Sequence, residues 1–231
     1  MNKKFEKGWG FKIAPSLITV AGLTIGLHGM RFIFAQEFVK AGLLIILAAV
    51  LDAFDGKVAR FFNASSKFGS SLDSLSDFLN FGIVPSFLIY NKYFFTLGIK
   101  FGWIACVLYV TSIALRLARF STEEMDGPFF KGVPAPGAAF IAMIPIVFEN
   151  VFNFESCYFM IFFAAAFMAL GAFLMLSNLK TLSFSRVSID KKYYPFFILG
   201  IGVASSCFYS FPWASLLATQ LVYLLSVFRK K

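Results

Sequence analysis

Residues 51–78 read LDAFDGKVARFFNASSKFGSSLDSLSDF. The stretch holds four aspartates, Asp52, Asp55, Asp73 and Asp77, inside a chain of 231 residues that is 59% hydrophobic, 19% aromatic and only 14% charged. Soluble domains carry about a quarter charged residues, so the composition excludes an ordinary soluble domain and points to an integral membrane protein. In such a chain an ionisable residue within a span costs at least about 2.5 kcal/mol at mid-bilayer and marks function by default. The hydropathy around the stretch therefore sets the fold, and its carboxylates set the search for a site.

A helix needs about 20 mostly apolar residues to cross the hydrocarbon core. By that ruler the sequence predicts an all-α transmembrane bundle of about eight spans, at roughly 14–35, 37–61, 70–91, 98–119, 133–152, 156–178, 193–209 and 211–228. The last two are short and separated by little more than SFPW, so a six-helix core with a re-entrant hairpin is the other arrangement. No linker, repeat or low-complexity tract suggests a second domain, and residues 1–231 read as one catalytic unit. Its start, KKFEKGWGFK, mixes lysine with aromatics and reads as an interfacial amphipathic segment over 1–13. The apolar run that follows is too long for a signal peptide, so the segment is expected to be retained.

Charge orients the spans. With a cytoplasmic N-terminus, only Arg31, Lys40, Lys92 and Lys100 of the 21 basic residues fall outside, as the positive-inside rule requires. The net charge of +9 thus needs no nucleic acid. Cys106, Cys157 and Cys207 lie in apolar runs without CxxC spacing and read as buried thiols; the lone His28 reads as a packed or interfacial side chain.

Asp52, Asp55, Gly56, Ala59 and Arg60 follow i, i+3, i+4, i+7, i+8 spacing, one face of a helix; Gly69, Asp73 and Asp77 follow i, i+4, i+8 on the next. Two acidic faces joined by a short loop converge, and gathered carboxylates repel unless cations neutralise them. With no histidine or cysteine nearby the ligands are all oxygen, suited to Mg²⁺, Mn²⁺ or Ca²⁺, in a site of two ions. Gly56 and Ala59 leave clearance for a bulky group, and Arg60 is placed to meet an anion such as phosphate. Helix capping or pairing with Lys57, Arg60 and Lys67 is the plainer explanation, but a cap needs one carboxylate, and both helices repeat theirs at face-sharing intervals. Metal, arginine and clearance together read as a pyrophosphate site; the spacing leaves the substrate open.

The pattern formed by Asp52, Asp55, Gly56, Ala59, Arg60, Gly69, Asp73 and Asp77 resembles the signature of the CDP-alcohol phosphotransferase family. Within that family SLDSLSDFLNFGIVPSF, ALRLARF (114–120) and FFKGVPAPGAA (129–139) are similar to the bacterial phosphatidylserine synthases. APSLITV (14–20) resembles the family's Pro-Asn-x-x-Thr segment, with Pro15 and Thr19 kept and Ser16 in place of Asn. The resemblance implies transfer of a phosphatidyl group from CDP-diacylglycerol to the hydroxyl of L-serine with release of CMP. It also implies Asp52, Asp55, Asp73 and Asp77 as ligands of two Mg²⁺ or Mn²⁺ ions, Ca²⁺ being an inhibitory occupant, and Asp77 as the base. Thr19, Asp52, Gly56, Ala59, Arg60 and Gly69 would face the nucleotide. Membrane lipid and a second copy in a homodimer are the further partners implied, in a bacterial inner membrane with both termini and the site cytoplasmic.

Arg116 and Arg119, three apart before a proline-punctuated turn, read with Lys131 as an anion pocket for the serine carboxylate or the lipid phosphate. Three rivals remain. Another acceptor, glycerol 3-phosphate or inositol, would also want the arginines; an aspartate-rich prenyltransferase would place its motifs farther apart; a divalent-cation transporter leaves Gly56, Ala59 and Arg60 unexplained.

Overall fold

The computed structural model describes residues 9–61, 66–95, 100–122, 130–154, 158–177, 180–181 and 194–228, with backbone alone for 9–14, 59–60, 122, 130–131, 180–181, 194–199 and 201. These residues form the expected all-α architecture. α1 (Trp9–Phe34) and α2 (Phe38–Phe61) pack along their length as an antiparallel hairpin. Its turn places Gln36 in the left-handed region at φ 59°, and the Glu37 amide closes it by donating to the Phe32 carbonyl at 2.9 Å. This hairpin brings the first half of α1 alongside the aspartate-bearing half of α2.

α3 (Lys67–Asp77) starts at Ser66, whose hydroxyl accepts the Gly69 amide at 3.0 Å and so satisfies one orphan donor of the first turn. The helix does not end at Asp77. It widens into a π-helical turn at Phe78–Ile83, where the Val84 amide reaches back to Leu79, continues as α4 (Val84–Ile89), and widens again over Tyr90–Phe95. Pro85 has no N–H to return to the turn behind it, and the Phe81 carbonyl in that turn accepts the buried Tyr109 hydroxyl at 3.0 Å. The whole run of 29 residues is roughly 40 Å long at about 1.5 Å per residue. A core about 30 Å thick leaves about two turns over, enough to hold the aspartates at its edge.

α5 (Phe101–Thr122) packs on the first π-helical turn and on α8 (Tyr158–Leu176). Between them lie α6 (Ala135–Ala142) and α7 (Ile144–Phe152), separated at Met143 because Pro145 cannot continue the amide ladder. The chain enters α6 across the end of α8. Phe130–Lys131 (β1) pairs antiparallel with Lys180–Thr181 (β2), and the Val133 amide donates to the Leu174 carbonyl at 3.1 Å. At Gly132, φ is 81° and a Cβ would fall 2.6 Å from the Met175 carbonyl oxygen, so only glycine fits this crossing. α9 (Tyr194–Ser210) and α10 (Pro212–Phe228) complete the bundle, α10 lying against α7 and α6.

Among the described residues five runs are long and apolar enough to cross a membrane: Pro15–Phe34, Lys67–Phe95, Phe101–Ser121, Ala135–Phe152 and Tyr158–Leu176. α2 has 24 residues but carries Lys40, Asp52, Asp55, Lys57 and Arg60; α9 and α10 have 17 each. Of the expected interfacial segment, residues 9–13 are the first turns of α1, and residues 1–8 lie outside the described residues. Cys106 is buried as expected, whereas Cys207 is exposed, because α9 packs little of its surface against the bundle; Cys157 lies outside the described residues. His28 is exposed on α1, its Nδ1 2.9 Å from the Thr24 carbonyl.

The core fills with Phe81, Leu88, Tyr93, Phe94, Tyr109 and Ile113. Near its end Tyr93 donates to Glu149 Oε2 at 2.6 Å and Lys92 Nζ lies 2.9 Å from Glu149 Oε1. That pair clamps the late part of the long helix to α7.

Candidate active site

The antiparallel hairpin and the capped start of α3 bring the two acidic faces together. Asp52, Asp55 and Asp73 each present a carboxylate oxygen, and these oxygens lie within 4.8 Å of one another. Asp77, one turn beyond Asp73, lines the same cavity and is near enough to Asp52 for the two carboxylates to interact. Unit negative charges at such a separation repel by on the order of 3 kcal/mol per pair at an effective dielectric of about 20. Asp73 Oδ1 and Asp77 Oδ1 are buried without a hydrogen-bond partner among the described residues. Hard oxygen donors, close spacing and unsatisfied buried oxygens fit a divalent cation such as Mg²⁺ or Mn²⁺.

Asp55, 6% exposed, is held from behind. Thr19 Oγ1 lies 2.8 Å from Asp55 Oδ2 and 3.1 Å from the Pro15 carbonyl; its single proton goes to the shorter, charged partner. A polar seam continues between α1 and α3. Ser76 Oγ lies 3.5 Å from the Thr19 carbonyl, and Asn80 Nδ2 donates to Ser76 Oγ at 3.1 Å. Asn80 sits against Gly26, where any Cβ would collide with its Oδ1.

A cavity of about 460 Å³ opens in front of the carboxylates, lined by all four aspartates together with Gly56, Ser70, Ser74, Arg116, Phe120 and Pro134 to Pro136. Nothing lies within 4 Å of where a Gly56 Cβ would be, so the expected clearance is present. Arg116, only 8% exposed, faces the aspartates with its guanidinium 4.6 Å over the Phe120 ring. It lines the same cavity as the four aspartates, close enough to Asp77 to act on it electrostatically. A guanidinium stacked on an aromatic face keeps its in-plane donors free for an anion, and its Nε has no partner among the described residues.

Two other expected site residues, Arg119 and Gly69, are described and do not line this cavity. Arg119 is half-buried. Gly69 serves the start of α3, its amide bonded to Ser66, with Ser16 Oγ 3.8 Å from where a Cβ would stand. The side chains of Ala59, Arg60 and Lys131 lie outside the described residues; Lys131 is described by its backbone pairing with Lys180. Sequence reasoning passed over Ser70 and Ser74, which share the face of Asp73 and Asp77 at i, i+4 spacing, and over Phe120, one turn beyond Arg116. Ser76 and Asn80 carried no such signal.

A second cavity of about 400 Å³ adjoins the first, sharing Pro134 and Pro136, and is almost wholly apolar: Ile45, Ala49, Phe54, Phe81, Phe140 and Met143 line it, with Lys57 and Tyr223 as its polar members. A polar chamber beside an apolar one suits a substrate with a charged head and a hydrocarbon tail.

The CDP-alcohol phosphatidyltransferase family model matches residues 12–177, from α1 to the end of α8. The chain is 34% identical over 180 residues to the CDP-diacylglycerol–serine O-phosphatidyltransferase of Helicobacter pylori, covering 77% of this chain and 75% of that one. To the proteins of the same name from Mycobacterium bovis and Mycobacterium leprae it is 31% and 30% identical, over 81% and 92% of this chain and 67% and 72% of theirs. With the family model covering well over half its length and every signature aspartate on one cavity, the chain belongs to the CDP-alcohol phosphatidyltransferase family.

Proposed function

We infer that the protein transfers the phosphatidyl group of CDP-diacylglycerol to L-serine, forming phosphatidylserine and CMP. The observation that carries this reading is the carboxylate cluster facing a buried arginine in a cavity next to an apolar one, in a chain similar over most of its length to proteins named for that reaction. Asp52, Asp55 and Asp73 would hold a divalent cation, Mg²⁺ or Mn²⁺, and Asp77 would help to hold a second. Bound there, such ions supply charge stabilisation to the phosphoryl oxygens and to the leaving phosphate.

Thr19 fixes the Asp55 carboxylate, and Gly56 gives the nucleotide room beside α2. Asp77 accepts the proton of the serine hydroxyl as that oxygen bonds to the phosphorus bearing diacylglycerol. The phosphorus–oxygen bond to CMP breaks on the opposite side, and CMP leaves with the bonding electron pair. A base must stand within hydrogen-bonding reach of the proton it takes, and the unpartnered, buried Asp77 Oδ1 at the cavity wall supports that role. Arg116 receives the serine carboxylate or the lipid phosphate, with Arg119 and Lys131 reinforcing the positive field. Arg60 meets the nucleotide phosphates. The site faces the cytoplasm of a bacterial inner membrane, on the charge distribution of the chain, and a homodimer is the assembly the family resemblance implies.

The test is CMP release by purified protein in nanodiscs, with CDP-diacylglycerol and serine, glycerol 3-phosphate or inositol, each with and without Mg²⁺ or Mn²⁺. Serine- and metal-dependent release is expected, abolished in Asp55→Asn and Asp73→Asn, while Asp77→Asn still binds the lipid donor but does not turn over. Release with glycerol 3-phosphate and none with serine overturns the acceptor; near-wild-type turnover of either ligand variant overturns the metal assignment.

A further inference from the structure

The family model ends at residue 177, yet a residue well beyond it stands beside the candidate site. Tyr223 lies on α10 and lines the apolar cavity next to Pro134 and Pro136, the two residues that cavity shares with the carboxylate chamber. Its ring lies so close over Gly137 that a Cβ there would strike the hydroxyl and, at 2.7 Å, the Cζ carbon. The absence of that Cβ lets α10 deliver a phenol to the part of the apolar cavity lined by Pro134, Pro136 and Gly137, next to the carboxylate chamber. α10 is anchored for this one turn earlier, where the fully buried Gln220 donates to the Phe140 carbonyl at 2.8 Å, and the Phe140 ring meets Tyr223 edge-on with centroids 6.3 Å apart. The hydroxyl oxygen is buried and has no hydrogen-bond partner among the described residues. Arg116, which lines the carboxylate chamber, is close enough for the two groups to act on each other electrostatically.

A buried hydroxyl without a partner carries an unmet desolvation cost of about 1–3 kcal/mol, and a tyrosine whose ring is fixed by glycine and phenylalanine cannot turn away to meet it. The ligand that fits has an acceptor oxygen where a charged head joins a hydrocarbon tail. We propose that Tyr223 is a specificity-determining residue for the lipid donor, its hydroxyl donating to an oxygen at the junction of phosphate and acyl chains as one chain occupies the apolar cavity. This inference rests on the phosphatidyl-transfer reading of the site, and it adds to the machinery a residue from outside the part of the chain that the family model matches. Two oxygens offer that chemistry, an acyl ester carbonyl and a non-bridging phosphate oxygen.

Tyr223→Phe keeps the ring over Gly137 and removes only the hydroxyl. In nanodiscs, the KM for CDP-diacylglycerol and the lipid concentration giving half-maximal thermal stabilisation are both expected to rise about 5- to 10-fold, the loss of one hydrogen bond. The KM for serine at saturating lipid stays within 2-fold, and thermal stability without CDP-diacylglycerol is equal to or above that of wild type, because the variant no longer buries an unpartnered hydroxyl; this shows the variant folded. An ether-linked analogue lacking ester carbonyls separates the two oxygens. If a carbonyl is the partner, wild type binds the analogue as weakly as Tyr223→Phe binds both lipids; if a phosphate oxygen is, the variant loses equally on both. Unchanged lipid affinity by both measurements overturns the proposal, whichever acceptor supports turnover, and release of CMP to another alcohol with a Tyr223-dependent lipid affinity overturns the acceptor alone.

Discussion

Replacing Thr19 with valine probes the carboxylate cluster without touching a proposed ligand. The side chains are nearly isosteric, and Thr19 is 6% exposed, so the change removes one hydroxyl from a packed site. What is lost is the 2.8 Å bond to Asp55 Oδ2; the 3.1 Å contact to the Pro15 carbonyl goes with it, but that group is neutral. A hydrogen bond to a charged acceptor contributes about 1.5–3 kcal/mol, and removing a group that orients a metal ligand costs about 10- to 100-fold in metal affinity. These ranges overlap, so the metal concentration giving half-maximal CMP release should rise roughly 10- to 100-fold, with kcat at saturating metal falling much less. The assay is a Mn²⁺ and Mg²⁺ titration at fixed saturating lipid and serine, with Thr19→Ser as the variant that keeps the hydroxyl and restores the wild-type midpoint. A valine variant with an unshifted metal midpoint refutes the assignment of Thr19 as the support of a metal-binding Asp55.

Three further changes act elsewhere in the site and its frame. Gly56→Val fills open space beside Asp55 and should weaken the nucleotide lipid on the order of 10-fold, read as KM, with the metal midpoint unchanged. Arg116→Ala removes the buried cation opposite the aspartates; kcat/KM should fall roughly 100-fold while the metal midpoint shifts lower, because less positive charge opposes the ion, and Arg116→Lys should recover little of the rate because lysine cannot stack flat on Phe120. Tyr109→Phe leaves the Phe81 carbonyl unsatisfied, an expected loss of about 1–3 kcal/mol seen as faster thermal inactivation in detergent with near-normal initial turnover.

The positions of the aspartates were legible because an α-helix converts spacing into direction: 52, 55 and 56, and 73 and 77, can only lie on shared faces. That the faces could meet followed from the short stretch of sequence between the two helices; in the fold they are brought together by α1, which packs against both α2 and α3. Arg116 and Arg119 were less separable, since residues three apart differ by about 60° around the axis, enough to put one on the cavity wall and leave the other off it. What could not be read depends on contacts distant in sequence. Asn80 is placed by Gly26, and Tyr223 by Gly137; in each case the glycine matters only once another helix lies across it. The wide turns of the long third helix likewise carry no local signature, because the Tyr109 hydroxyl that meets the Phe81 carbonyl comes from the next helix.

The wide turn at Phe78–Ile83 also acts as a phase shifter. A π-helical turn accommodates one residue more than the α-helical turn it replaces, so the helix face that buries Val84 and Leu88 is advanced by about 100° relative to the face that carries Asp73 and Asp77. One continuous rod thereby presents two independently aimed surfaces, one keyed to the core and one to the cavity. Removing a single residue between 78 and 83 would leave every side chain of the site in the sequence and turn the carboxylates away from α2.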